Sequence, residues 1–154
     1  MARDVTFEEF NEYLQQTAPN IEKELTKTIE LCCRKVVSDI QSSMAHTARD
    51  TTRSYYTNNK TKAHHPSLPG NPLAPDTGNL RNSIRYEMHD ENRKVYGIVG
   101  STQKDPDYAV YTEYGTTKMA PRPWLRPAME KNNDWIRKSI GMAVARGLEG
   151  ASRW

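Results

Sequence analysis

From Ile21 the residues Leu25, Ile29, Cys32, Val36, Ile40 and Met44 return every three or four positions, and that spacing admits one kind of secondary structure. A helix stacks such positions into a single stripe, whereas a strand would scatter them over both faces. The stripe predicts a helix from about Ile21 to somewhere between Arg49 and Tyr55, roughly 45 Å long at 1.5 Å per residue. An element of that length forms the backbone of a chain of 154 residues, long enough for one domain with a modest core and too short for two ordinary ones.

Upstream, Thr6 followed three positions later by Glu9 has the form of a capping box, in which each side chain satisfies a free backbone donor at a helix start. A short helix with Phe7, Phe10 and Leu14 on one side should follow and end at Pro19, with Asn20 restarting the chain. Between residues 57 and 78 the pattern gives way to Asn, Lys, His, Gly and four prolines at 66, 69, 72 and 75, a long extended loop. Such a loop suits an arm that reaches a neighbouring subunit, or a segment that orders only on assembly.

After Gly78 the period shifts toward two. Ile84, Tyr86 and Met88 alternate with Arg85 and Glu87, Asp90 to Arg93 reads as a turn, and Val95 to Gly100 as a second strand, so the pair predicts a hairpin. Tyr108 to Tyr114 reads as a third strand on its Val and Tyr content, with a single helical turn carrying Tyr108 and Tyr111 as the alternative. From Met119 to Pro127 the prolines force an extended path, and Pro127 sits well in the first turn of a last helix whose predicted face is Met129, Ile136, Ile140, Val144 and Leu148.

The expected fold class is therefore α+β: a long N-terminal helix and a C-terminal helix packed on a small antiparallel sheet, with a long Pro-rich loop. One domain would divide into N-terminal helices (1–56), extended loop (57–78), sheet (79–118), and contact strip with C-terminal helix (119–154).

Residue types then bound the function. An apolar share of 36% beside 27% charged residues leaves little core-forming material, which favours stability gained from neighbours. Net charge is +3 but unevenly placed: residues 1–24 hold six acids against Arg3 and Lys23, and the chain from Arg122 onward is basic. In a ring of identical subunits one copy's acidic face could meet the next one's basic face, or a basic face could lie toward nucleic acid; ordinary solvated helix faces are the plainer account. No stretch approaches the ~20 apolar residues of a membrane span, and the acidic start lacks the layout of a signal peptide, so synthesis in the cytosol is expected. The adjacent Cys32 and Cys33 read as reduced packing residues rather than reactive thiols.

No grouping of nucleophile, base and orienter is legible, and no cofactor or metal is expected. His64 and His65, with His46 upstream, lack the partners of a zinc site. Arg49, Arg53, Lys60 and Lys62 with Tyr55 and Tyr56 form a basic, aromatic stretch of the kind that tracks a phosphate backbone, which keeps a DNA-binding module open as an alternative.

Three segments carry a resemblance. They are Pro75-Asp76-Thr77-Gly78-Asn79-Leu80-Arg81-Asn82-Ser83-Ile84, Tyr108-Ala109-Val110-Tyr111-Thr112-Glu113-Tyr114-Gly115-Thr116, and Met119-Ala120-Pro121-Arg122-Pro123-Trp124-Leu125-Arg126-Pro127-Ala128. Their order and spacing resemble the tailed-phage neck, or tail-completion, family. Tyr114 and Trp124 stand where phenylalanine is common in that pattern.

The resemblance implies a structural virion protein of the neck: a homo-oligomeric ring, of six copies, joining tail to DNA-filled head. Head-closure or connector proteins would lie on one side, the tail terminator or tail tube on the other, and genomic DNA would pass without sequence recognition. Tail terminator or head-closure subunit is the alternative role.

Physically, Asp76, Thr77 and Gly78 shape a sharp turn into the first strand, and Gly115 allows a backbone conformation that side chains forbid. Arg122 to Pro127 presents Trp124 between stiff prolines and arginines, either as a contact strip or as a plug for the core. Candidate interface residues are Tyr108, Tyr111, Glu113, Tyr114, Arg122, Trp124 and Arg126. Glu113 is expected to make a polar contact between subunits, to Arg122 or Arg126, because a buried charge needs a partner.

Overall fold

A computed structural model describes residues 6–52, 55–56, 63–91, 94–103 and 106–149. In chain order these form α1 (Phe7–Ala45), β1 (Tyr55–Tyr56), β2 (Ala63–His64), α2 (Asn79–Ser83), β3 (Ile84–Glu91), β4 (Lys94–Ser101), α3 (Pro106–Tyr114) and α4 (Arg126–Glu149). The long N- and C-terminal helices with the small β3–β4 antiparallel sheet make the α+β fold that the periodicities predict.

The capping box opens α1. The Glu9 amide donates to Thr6 Oγ1 at 3.2 Å, and the Thr6 amide donates back to Glu9 Oε2 at 2.9 Å. Contrary to the expected break at Pro19, α1 continues through it for 39 residues, about 58 Å at 1.5 Å per residue. A proline inside a helix removes one hydrogen bond and crowds one carbonyl. Breaking the helix there would instead open two new ends with four unmatched backbone groups each.

The far end falls at Ala45, short of the expected Arg49 to Tyr55. The stripe ends with the buried Met44, and beyond it the backbone finds other partners: Leu68 N donates to Ala48 O at 3.3 Å and Asp50 N to Pro66 O at 2.7 Å, around an Arg49–Ser67 bridge. Within the stretch read as unbroken loop, β2 pairs antiparallel with β1, Tyr55 opposite His64.

Two compact units divide the described residues. The first comprises ranges 1–33, 88–97 and 133–154, the second 34–87 and 98–132, so each takes part of α1, of the hairpin and of α4. In the first, α1 and α4 approach closely: a side chain added at Gly147 would lie 2.6 Å from Ile21 Cα and 2.9 Å from its N. Arg146 holds the same crossing with Nε donating to Glu24 Oε2 at 3.2 Å. Cys32 and Cys33 are buried there, and burial pushes both thiols above their ordinary value, Cys32 and Glu30 adding to the effect at Cys33.

In the second unit, Val36, Ile40 and Met44 of α1 are buried together with Leu80, Ile84 and Trp124. The Asn132 amide donates to Asp39 Oδ2 at 2.8 Å, tying α1 to α4. That bond and the Lys35 ammonium hold the Asp39 carboxyl below its usual range.

The buried face of α4 differs from the predicted one. Ala128, Asn132, Ser139, Ala143 and Gly147 face inward, Ile136, Ile140 and Val144 are half-buried, and Met129 and Leu148 are exposed. Small residues let the helices close up, so burial goes to the residues that permit close approach rather than to the most apolar ones.

Candidate assembly surface around the third helix

The segment weighed as a third strand is helical. Pro106 stands at the first position of α3, where its missing donor costs nothing, and Asp107 follows in the first turn, where a negative charge suits the helix dipole. Ala109, Thr112 and Glu113, spaced by three and one, are buried and form the inner face. The strand-favouring Tyr108, Val110, Tyr111 and Tyr114 all lie outward and exposed, so their propensity meets no sheet partner that would express it.

Glu113 is only 4% exposed, and its carboxylate is spent on backbone. Oε2 accepts from the amides of Trp124 at 2.7 Å and Leu125 at 2.9 Å, and Oε1 from the amide of Arg126 at 3.0 Å. These are the free donors at the start of α4, and a carboxylate there gains both their hydrogen bonds and the favourable end of the helix dipole. The exposed Arg126 guanidinium adds an ion pair at 3.8 Å. Within the chain Glu113 therefore caps the start of α4, its buried charge compensated by three backbone donors and by Arg126, one of the two arginines expected as its partner.

Trp124 resolves the same way. It is 4% exposed, and its indole Nε1 donates to Ala109 O at 3.4 Å, so it plugs the core between α3 and the start of α4. The strip is docked by its backbone as well, since Arg122 N donates to Thr112 O at 2.8 Å and Arg122 Nε to Ser67 O at 3.3 Å. Gly115 ends α3 at φ 79°, and a side chain there would meet Met119 O at 2.8 Å and Pro121 N at 2.9 Å. Only glycine fits both the angle and the space.

What remains outward is a ridge of Tyr108, Tyr111 and Tyr114, with Arg126 lying 5.3 Å over the Tyr114 ring. Lys118 is exposed just beyond, and Val110, not singled out from the sequence, shares the ridge. Three large aromatics on nine residues of helix, with an arginine from the start of α4 stacked on one of them, is the composition that interfaces concentrate.

Asp76, Thr77 and Gly78 do not lead directly into a strand. Thr77 Oγ1 accepts from Asn79 N at 3.3 Å, Gly78 at φ 79° precedes the short α2, and β3 begins only at Ile84. These residues line a groove of about 670 Å³ whose other walls include Met44, Leu73, Gln103 and Tyr108.

Of the basic stretch weighed for DNA, Arg49 donates from Nη2 to Pro75 O at 3.2 Å; Arg53, Lys60 and Lys62 lie outside the described residues. Among the described residues no group of three or more metal-binding side chains comes together, and no helix is long and apolar enough to cross a membrane.

At this surface the buried Glu113 and Trp124 hold the chain's own interior, while the tyrosines of α3 face out. The match to known families agrees: residues 8–115 fit the model described as "Bacteriophage HK97-gp10, putative tail-component", and the chain belongs to that family. Its class is that of phage tail components, a structural role in the virion. No curated protein and no solved structure matches the chain.

Proposed function

We propose that this chain is a neck, or tail-completion, subunit that assembles into a homo-oligomeric ring of six copies at the head-to-tail junction, joining tail to filled head. Membership in a family of phage tail components supports a virion role. The carrying observation is the tyrosine ridge of α3, exposed while the neighbouring Glu113 and Trp124 are committed to the interior. Tyr and Arg at such density stabilise contacts between proteins by large apolar area with little conformational entropy lost per tyrosine. The role requires shape and charge complementarity, and DNA would pass through the ring without sequence readout.

Light scattering of the purified protein over a concentration series, together with low-resolution imaging of particles, tests this. The expected result is a closed ring located at the neck. A well-folded monomer at high concentration, or a position elsewhere in the particle, would overturn it.

A further inference from the structure

The β3–β4 sheet holds two strands, so among the described strands it ends on β3 at one side and on β4 at the other. Its half nearest the turn, residues 88–97, belongs to the first compact unit. His89 and Tyr96 stack with ring centroids 5.0 Å apart, a side chain at Gly97 would come within 3.3 Å of Met88 Sδ, and further along Thr102 N donates to Ser83 O at 3.0 Å. These three contacts share one antiparallel register, which sets Tyr96 opposite His89 and Lys94 opposite Glu91. Hydrogen-bonded pairs alternate along such a ladder, so the amides of Lys94 and Tyr96 turn toward β3 and those of Val95 and Gly97 turn away from it. Among the described residues no backbone bond from outside the sheet reaches Val95 or Gly97.

An outward row of amides and carbonyls is a template for another strand, and edges kept single carry proline, a bulge or several charges. β4 has no proline, and Lys94 at its start is its one charged residue. The side chains select which strand fits. Lys94 and Tyr96 are exposed, and in their own hairpin they stand opposite Glu91 and His89. The β3 strand of a second copy offers the same residues in the same order, whereas a second β4 would bring no acid to Lys94.

Resting on the ring reading above, we propose that β4 of one copy pairs antiparallel with β3 of the next, in the register the chain uses within itself, so that the sheet continues from copy to copy. Lys94 then lies between two Glu91 carboxylates and Tyr96 between two His89 imidazoles. The contact joins two different edges, so it is heterologous, and repetition by a closing rotation gives a ring.

Hydrogen exchange resolved to single amides, in dilute single copies and in the assembled full-length protein, tests the pairing without any substitution. The amides of Val95 and Gly97 should slow about tenfold or more on assembly, while that of Tyr96 is protected in both states. Glu91→Lys should weaken association about tenfold or more at low salt, and adding Lys94→Glu should restore it, with thermal melting to check the fold. Val95 and Gly97 exchanging as fast in the assembly as in single copies, or association indifferent to Glu91→Lys, would overturn the docking and leave the ring standing. Slowed amides in a species that stops at two copies would overturn it in favour of β4 pairing with β4. If the wild type itself never associates, the ring reading falls with it.

Discussion

The two faces of α3 invert the usual arrangement. Its inner face buries a threonine and a carboxylate, while its outer face exposes three tyrosines and a valine. Within a single chain this would waste apolar area and spend effort on desolvating a charge. It is economical if the inner face exists to fix the start of α4 and the outer face meets another molecule. The difference teaches that a residue's apparent chemistry does not assign its place: the charge is architecture and the aromatics are surface.

Substitutions on the inner face should therefore harm the subunit itself. Trp124→Ala removes the plug and should lower unfolding free energy by about 3–5 kcal/mol in denaturant titration. Glu113→Ala leaves three amide donors at the head of α4 without their acceptor and should lose about 3 kcal/mol, with Glu113→Gln recovering part of it. If either variant kept full stability yet failed to associate, the distinction between faces would break.

The α1–α4 crossing sharpens the contrast from the first compact unit. Gly147→Ala should lose about 2 kcal/mol, because the added methyl meets the backbone of Ile21, which no rotamer change relieves. A smaller effect is expected at Asp39. Its folded carboxyl titrates below the ordinary 3.8, chiefly through the Asn132 bond, so its contribution is present above that value and fades as pH falls through the lowered one. Asp39→Asn should flatten the acid limb of a stability profile measured below about pH 4, and an unchanged limb would remove Asp39 from the account.

How much of this the sequence disclosed follows from the kind of residue involved. The α1 stripe was legible because large apolar side chains repeat at one period, and the capping box because two polar side chains stand at fixed separation. The α4 face was misread because the residues that pack are Ala128, Asn132, Ser139, Ala143 and Gly147, which an apolar scan ranks low. The helicity of α3 was masked by tyrosines and a valine. Its signals were the Pro106-Asp107 start and the Ala109, Thr112, Glu113 spacing, which only acquires meaning once those residues are seen to face inward. The need for a partner at Glu113 was readable, but not that the partners would be backbone amides eleven to thirteen residues onward.

The decisive measurement replaces Tyr108, Tyr111 and Tyr114 together by serine and compares thermal melting with sedimentation of the same samples. The outward assignment predicts a melting transition close to that of the original protein and a species confined to single copies. Retained association, or collapse of the fold, would contradict it.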